Sequence, residues 1–575
     1  MTARRGLPAL ALLLALVSGC STVPSSSATV QITQVAELPG DDVGIEPLGP
    51  EQGATPEEVV RGFIDASSST ARNHPVARQY LDGEDAASWS DSDGVTIISS
   101  DFAPVQTRSG TVEVTAALVG TVDERGVFTV ADGQVYTHTF TLSHESGEWR
   151  ITDPPDGLLL LEPDFARTYD QLDAYFLDPT GSRVVPDPRY LVSGPAQPNA
   201  LVERLISGPS AALAAGVVNP LSGARLRSTV RVAGQNVTID LSFPADVTDA
   251  TAQAAAGQLV WSMQQLSLRR VTVLRDGQPL GVAGTPLEQS TDDWVSLDPD
   301  YAPVDAVGHY VLDGALRRAA DASPAPGPAG SGVYGLVSAG VSVDPRTSGL
   351  GLMAGVSTTV SPSGAPATLF AGPYGGDLAP VLAGRSFTTP TTAGTRAEVW
   401  TVRDGSEVVR LPAGGTPQTV NVTTLAGLGR ATVFQLSPDG VRAALVIEGP
   451  NGGRLFVGTV ARDEDAVTVR DLRSVAPSVE QVVDVAWRNS GLLMVLAGDP
   501  SEERTVPYTV DVDGWDLTPV ITSGLPGQPT AVAAAPGRQP LVTAGRTLWE
   551  LGGGTWVTLV RGAEPVAGEE PFYPL

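Results

Sequence analysis

The stretch VFQLSPDG at residues 433–440 is the clearest copy of an irregular repeat in the C-terminal half of this chain. VDVAWRNSG at 483–491 and AVAAAPGR at 531–538 have the same form, a short apolar strand that ends in turn residues. The turns begin at Asp298, Asp344, Thr389, Ser437, Arg488 and Ala535. Their intervals are 46, 45, 48, 51 and 47 residues.

A period of about 40 to 50 residues with four short strands is typical of a propeller blade. The repeat predicts an all-β propeller of about six blades over residues 291–575. Five or seven blades, or a pair of open β-sandwiches, are the alternatives.

The residues ahead of the repeat alternate between helix and strand patterns. Ala200 to Ile206 form an amphipathic run that a Gly-Pro pair closes, which predicts a helix capped by Asn199. Val237 to Phe243 alternate apolar with polar residues, as in a strand buried on one face. Ala250 to Leu266 predict a second helix, with Trp261 in the core. An α+β domain over residues 161–290 follows from these patterns.

A further α+β domain is predicted over residues 55–160. Thr55, Pro56 and Glu58 form a helix start with a capping box. Strand patterns follow from Val95 onward, and Tyr136, His138, Phe140 and Leu142 alternate with threonines in the most regular of them. A helix followed by an antiparallel sheet suggests an NTF2-like cone.

The N-terminus has the pattern of a secretory signal. Arg4 and Arg5 precede an apolar run from Gly6 to Val17, which is too short to cross a bilayer comfortably. The next residues, Val17-Ser18-Gly19-Cys20, resemble the bacterial lipobox. That resemblance implies that Cys20 becomes an S-diacylglycerol and N-acyl cysteine after cleavage before it. Residues 1–19 would be the signal peptide, and the Ser-, Pro- and Gly-rich residues 20–54 a flexible tether.

Composition excludes several functions. The formal net charge is -28, so we expect no nucleic-acid binding. All 36 basic residues are arginine, which excludes a P-loop and Schiff-base chemistry. With one cysteine, neither an internal disulfide nor a cysteine zinc site can form.

No pattern predicts catalytic residues, a metal site or a cofactor. His138 is interpreted as a half-buried strand histidine rather than a catalytic one. Asp91-Ser92-Asp93-Gly94 does not match the register of a calcium loop and is interpreted as a turn.

Two resemblances to known families are specific. YFLDPTGSRVVPDPR (175–189), LVERLISGP (201–209), VTIDLS (237–242) and VTVLRDGQPL (271–280) resemble, in this order, a GerMN domain. That domain is a binding or assembly module of spore and cell-envelope proteins. Together with TPEEVVRGFIDAS (55–67), the lipobox and the propeller repeat, the whole chain resembles the LpqB family of actinobacterial lipoproteins.

The LpqB resemblance implies a function. Members are accessory to the MtrA–MtrB two-component system. By resemblance, this non-enzymatic chain would be held by its lipid at the extracytoplasmic face of the cell membrane. It would bind the extracytoplasmic part of an MtrB-like sensor histidine kinase and modulate signalling in cell-wall homeostasis and division. The alternatives are a scaffold that binds cell-wall glycan or peptide, and a propeller-based cell-wall enzyme.

Overall fold

The computed structural model describes residues 47–282, 284–303, 306–358, 366–450, 452–463, 466–499, 504–559 and 564–575. The predicted lipobox residues Val17, Ser18, Gly19 and Cys20 lie outside these ranges. Residues Pro47–Leu575 belong to one structural unit, in which three domains follow one another. No helix in the described ranges is both long enough and apolar enough to cross a bilayer.

The first domain begins with the predicted helix, α1 (Pro56–Ser67). The Thr55 hydroxyl accepts from the Glu58 N–H at 3.3 Å, and the Glu58 carboxylate accepts from the Thr55 N–H at 2.8 Å. The expected capping box is therefore confirmed. Val60 and Phe63 on its apolar face are fully buried against the sheet.

A seven-stranded sheet forms the rest of this domain, in the order β6-β5-β3-β1-β7, with β2 and β4 paired to β3. Its strands are β1 (Val95–Ile98), β2 (Val105–Arg108), β3 (Thr111–Val122), β4 (Phe128–Val130), β5 (Val135–Glu145), β6 (Glu148–Ile151) and β7 (Leu158–Leu161). The helices are α2 (Gly83–Ser88), α3 (Glu162–Thr168) and a 3₁₀ turn at Ala77–Tyr80. The α+β expectation is confirmed, but β7 pairs parallel to β1 and was not predicted. A run of four leucines, of which three are buried, has no alternation from which to recognise a strand.

The second domain packs two helices against small sheets. Its strands are β8 (Tyr169–Asp173), β9 (Phe176–Leu177), β10 (Val184–Val185), β11 (Pro188–Val192), β12 (Arg225–Leu226), β13 (Arg231–Ala233), β14 (Asn236–Ser242), β15 (Arg270–Arg275) and β16 (Gln278–Pro279). Its helices are α4 (Gln197–Ser207) and α5 (Asp249–Met263). Shorter 3₁₀ helices span Ala214–Gly216, Gln264–Leu266 and Thr291–Leu297. Trp261 lies in the core, as expected, with only 8% of its surface exposed.

The start of α4 differs from the sequence prediction. The helix begins two residues before Asn199, with Pro198 in its first turn, and no side chain caps it. Asn199 instead bonds Glu203 at 2.9 Å and the N–H of Val230 at 3.2 Å. Proline tolerates the first helical turn, so the amphipathic run could extend backwards past the expected cap.

The third domain is a propeller of six sheets in the described ranges. Five sheets have a four-stranded path in chain order: β19 to β22, β23 to β26, β27 to β30, β31 to β34 and β35 to β38. Their strands are β19 (Leu336–Val343), β20 (Leu350–Thr358), β21 (Ala367–Pro373), β22 (Ala379–Gly384), β23 (Thr391–Ala393), β24 (Arg396–Arg403), β25 (Glu407–Pro412), β26 (Gln418–Val420), β27 (Arg430–Leu436), β28 (Arg442–Gly449), β29 (Gly452–Arg462), β30 (Val467–Ser474), β31 (Glu480–Trp487), β32 (Leu492–Asp499), β33 (Arg504–Asp511), β34 (Thr518–Pro519), β35 (Pro529–Ala533), β36 (Leu541–Ala544), β37 (Thr547–Gly552) and β38 (Thr555–Thr558). Short helices α6 (Gly327–Gly330) and α7 (Leu425–Leu428) lie between strands, and β39 (Val566–Ala567) pairs with β37.

The sixth sheet joins the two ends of the propeller sequence. It consists of β17 (His309–Leu312), β18 (Ala315–Arg318) and β40 (Glu569–Phe572), in the order β18-β17-β40. The last strand also contacts β35 and β19, which closes the ring of inner strands. A ring needs this closure because an open sixth sheet would leave exposed edges.

Four repeat turns are confirmed and two are wrong. The copies at Asp344, Ser437, Arg488 and Ala535 lie between the first and second strands of their sheets. The Asp298 copy instead follows a 3₁₀ helix outside the blades. The Thr389 copy precedes β23, whose reversal lies between Ala393 and Arg396. The closing sheet takes its inner strand from the C-terminus, so the repeat has no sixth turn near residue 298.

Candidate functional site at the junction of the three domains

Four aromatic side chains from all parts of the chain meet at one junction. Trp515, in the turn after β33, packs edge-to-face against Phe165 of α3, Phe128 of β4 and Tyr190 of β11. The ring centroids lie 5.1, 5.2 and 5.8 Å from that of Trp515. This arrangement suits the quadrupoles of the rings and buries apolar surface between domains. We call these four residues the aromatic junction.

Two hydrogen bonds link the backbone and side chain of Tyr190 across the same junction. Its N–H donates to the carbonyl of Gly126 in the first domain at 2.8 Å. Its hydroxyl donates to a carboxylate oxygen of Asp513 in the propeller at 3.1 Å. A strand of the second domain is therefore bonded to both of its neighbours.

A buried ion pair lies beside the aromatic junction. The Asp187 carboxylate accepts from Arg189 at 2.8 Å and from the Ser210 N–H at 2.6 Å. Both side chains of the pair are almost completely buried. From the propeller, Arg442 at the start of β28 donates to the Pro186 carbonyl, next to this pair.

Two further arginines join the domains. Arg125 of the first domain donates to the carbonyls of Ser207, Gly208 and Pro209 at 3.1, 2.6 and 3.0 Å. These carbonyls lie at and just beyond the C-terminus of α4, where the helix dipole favours a cation. Arg454 of the propeller pairs with Asp132 of the first domain at 2.8 Å, at a more exposed position.

A cavity of about 280 Å³ opens at this junction and is lined by all three domains. Val127 to Val130 form one wall, while Asp187 and Ser210 form the second. Arg442, Arg473 and Asp513 contribute the propeller wall. The cavity therefore contains side chains of both charges.

The carboxylates around the junction are in different protonation environments. Burial opposes ionisation of Asp187, but Arg189, the Ser210 N–H and Arg442 outweigh it and lower the pKa of this carboxyl. Burial raises the pKa of Asp511 to about 8, and the neighbouring Asp513 adds to the effect. Burial also raises the pKa of Asp173 to about 7, against the influence of Arg442. The charge at the junction therefore changes near neutral pH.

Such an arrangement holds the three domains together. Aromatic packing, crossed hydrogen bonds and the Asp187–Arg189 pair all require one relative placement of the three domains. Buried polar pairs are favourable only when their geometry is satisfied, so they select this placement. The three domains are therefore held in one fixed arrangement.

His138 and two further histidines, His74 and His309, each contact neighbouring protein side chains. His138 is half-buried on β5 between Tyr136 and Phe140, as interpreted. His74 bonds Asp91 at 2.7 Å, so one carboxylate of the rejected calcium loop has a protein partner. Burial lowers the pKa of His309 to about 4, and its Nε2 lies 2.8 Å from the Tyr374 hydroxyl. Among the described residues, no group of three His, Cys, Asp or Glu side chains is arranged to hold a metal ion.

The junction residues were not recognised in the sequence. Asp187 and Arg189 belong to the quoted VVPDPR segment, and Asp513 belongs to a DVDG turn. Two opposite charges at the start of an otherwise apolar strand could have indicated a buried ion pair, since charges are rarely buried without partners. Nothing in the sequence indicated that Trp515 would meet Phe128.

Three family models match the chain. They are the N-terminal domain of lipoprotein LpqB over residues 49–166, the sporulation and spore germination domain over 173–281, and the LpqB β-propeller domain over 314–574. Their order agrees with the three domains of the structure.

Curated relatives match nearly the full chain. Lipoprotein LpqB of Rhodococcus jostii (strain RHA1) is 31% identical, covering 88% of this chain and 86% of that protein. Lipoprotein LpqB of Mycolicibacterium smegmatis is 32% identical, covering 87% of each. Among solved structures, TolB from Acinetobacter baumannii covers 55% of this chain and 85% of its own at 10% identity. Its TM-score of 0.32 is too low to support a comparison of folds.

Proposed function

This chain belongs to the LpqB lipoprotein family, and on that premise we propose that it is a lipid-anchored docking protein for a sensor histidine kinase. It binds the extracytoplasmic part of the kinase and modulates two-component signalling in cell-wall homeostasis and division. The resemblance of the whole chain to the family supports this role.

The proposed anchor is Cys20, with Val17, Ser18 and Gly19 as the recognition sequence ahead of it. A thioether-linked diacylglycerol and an N-acyl chain contribute about 0.8 kcal/mol per buried CH₂, enough for stable attachment. At the other end of the proposed tether, the Leu48 carbonyl accepts from the Tyr80 hydroxyl at 2.8 Å. The chain therefore meets the first domain just before α1.

The fixed junction is the observation that carries the docking role. If the domains were loosely joined, binding a partner would have to fix their arrangement, and the entropic cost of doing so would lower the affinity. Here the contacts of Trp515, Tyr190 and Arg442 order them beforehand. The formal charge of -28 keeps such a surface away from anionic lipid and favours a partner with basic patches.

We propose no catalytic step for this protein. The supporting observation is the placement of its histidines, three of which lie in the first domain and one, His309, is buried in the propeller. The relatives are named as lipoproteins, and their names state no reaction.

A binding measurement tests the docking role. Full-length mature lipoprotein in nonionic detergent is titrated into nanodiscs that contain the complete sensor kinase. We expect a dissociation constant of about 1 µM or tighter. A kinase whose extracytoplasmic part has been exchanged for that of an unrelated sensor is the matched control. Absence of binding at micromolar concentrations, or equal binding to the exchanged kinase, would count against the proposal.

A further inference from the structure

An arginine-rich cleft lies on the side of the propeller, between the sheets β23–β26 and β27–β30. Its volume is about 920 Å³. Arg396 begins β24, Arg410 lies on β25 and Arg462 ends β29, and all three line the cleft. Pro179 of the second domain also lines it. We call this feature the arginine cleft.

Two of the three guanidinium groups contact one buried carboxylate. Glu398, which is 3% exposed, accepts from Arg462 and lies 3.5 Å from Arg410. Arg462 also lies over the ring of Trp400, at 5.6 Å from its centroid. Three cations outnumber Glu398 and the Asp178 carboxylate that also acts on Arg396, so the cleft keeps an excess of positive charge. This excess is unusual in a chain whose formal charge is -28.

Part of the donor capacity of the cleft is unused. The buried Nε of Arg410 has no hydrogen-bond partner, and within the described ranges no hydrogen bond or ion pair is made by the guanidinium group of Arg396. Burial and then the nearby Arg462 lower the pKa of Arg396, as expected of like charges held together. An anion between these groups would relieve the repulsion and satisfy the donors.

The other lining groups are short and polar. Gln418, Asn421 and Thr468 contribute amide and hydroxyl groups. The Asn421 carbonyl accepts from the Val469 N–H at 2.9 Å, which fixes this wall to the next blade. On the rim, Asp463 pairs with Arg470 at 3.4 Å, so the rim adds no net charge.

We propose that the arginine cleft binds the phosphate group of a phosphorylated ligand. A phosphate monoester near neutral pH carries nearly two negative charges and three acceptor oxygens. Its charge is opposite in sign to the excess of the cleft, and guanidinium groups bind such oxygens in pairs. The same chemistry occurs in a sugar phosphate and in an acidic phospholipid headgroup. This site goes beyond the docking role and does not depend on it.

Calorimetric titration of the full mature protein in nonionic detergent tests the proposal. The probes are inorganic phosphate, glucose 6-phosphate and dihexanoylphosphatidic acid, with glucose as the uncharged control. We expect saturable binding of at least one phosphate probe below about 10 mM, and none of glucose. Preference between the sugar phosphate and the short-chain lipid identifies the source of the ligand.

The decisive variant is Arg396→Gln. We expect it to weaken phosphate binding about tenfold or more, since it removes a charged donor. Its melting temperature should not fall, because the Arg396 side chain forms no ion pair with the part of the chain that the structure describes. Arg410→Gln is the second variant, and in it Arg462 still pairs with Glu398. Arg346→Gln removes the same charge from a side chain that is 88% exposed, and serves as the matched control.

Binding should also follow the second ionisation of phosphate, near pH 6, and be stronger at pH 7.5 than at pH 5.5. Three results would overturn the proposal. They are absence of binding by all phosphate probes, equal loss in Arg346→Gln and Arg396→Gln, and binding of an oligoglutamate peptide without binding of phosphate.

Discussion

Replacement of Trp515 by alanine is the sharpest test of the fixed junction between domains. The indole is half-buried and makes three edge-to-face contacts, two with residues of the first domain and one with a residue of the second domain. The substitution removes these contacts without removing a side-chain hydrogen bond to any described residue, since the bond that Trp515 donates to Asp513 comes from its backbone N–H.

The expected cost follows from the contacts. Truncation of a buried aromatic residue to alanine costs about 3–5 kcal/mol, and each aromatic pair contributes about 0.5–1.5 kcal/mol beyond area burial. Since Trp515 keeps part of its surface exposed, we expect the lower end, about 3 kcal/mol. The substitution should lower the free energy of opening the junction by this amount. The open state should then be about 100-fold more populated.

The amide of Tyr190 reports this opening directly, because it donates across the domain boundary to Gly126. Hydrogen exchange followed by mass spectrometry should show faster exchange over β11 in Trp515→Ala. The exchange of β28, inside a propeller sheet, should change little. Trp556→Ala is the control, since Trp556 is 2% exposed within the sheet β35–β38 and donates to the Ile521 carbonyl. It should destabilise its blade and leave β11 protected.

Unchanged exchange of β11 in Trp515→Ala would refute the fixed junction. Equal acceleration in Trp515→Ala and Trp556→Ala would refute it as well. In the first case the aromatic junction would not hold the domains together. In the second, the faster exchange of β11 would reflect only a lower stability of the whole protein.

Three further outcomes are expected. Cys20→Ala should abolish lipid labelling and membrane fractionation of the mature form while leaving circular dichroism unchanged; normal maturation would disprove the lipobox. Burial raises the pKa of Asp511 to about 8, so the folded state holds a proton there that the unfolded state releases near pH 4. The free energy of unfolding should therefore fall as pH rises from 6.5 to 8, a window above the titration of His309. Urea unfolding of Asp511→Asn over the same window should show a smaller decrease of this free energy with pH. Gly514 has φ +97°, and an added Cβ would lie 2.8 Å from Val130. Gly514→Ala should thus lower the free energy of unfolding by about 1–3 kcal/mol, measured against Gly147→Ala, whose Cβ meets nothing within 4 Å at φ +87°.

Local patterns in the sequence determined much of the fold. The capping box at Thr55 and the alternation along Val237 to Phe243 each depend on residues within one or two turns or strands. Such patterns can be recognised because the backbone hydrogen bonds and the buried face repeat at short intervals. The blade turns at Ser437 and Arg488 were recognised for the same reason. The lipobox at Cys20 is also a short motif, and it stays a prediction.

Predictions from local patterns failed where a contact with a distant element determined the structure. β7 became a strand because β1 offered it a parallel partner, and the helix α4 began before Asn199 because packing tolerated Pro198. The expected blade turn at Asp298 was wrong because the C-terminal β40 completes the sixth sheet. In each case the competing partner lies many residues away.

The sequence by itself determined the domain types, their order and the acidic charge of this protein. Only the tertiary structure decided which of its charges and aromatic rings meet. Tyr190 and Asp513 are 323 residues apart, and the three residues of the arginine cleft come from three different strands. Their proximity follows from the packing of whole domains and blades, whose buried surfaces are summed over many residues. No single stretch of the chain contains that information.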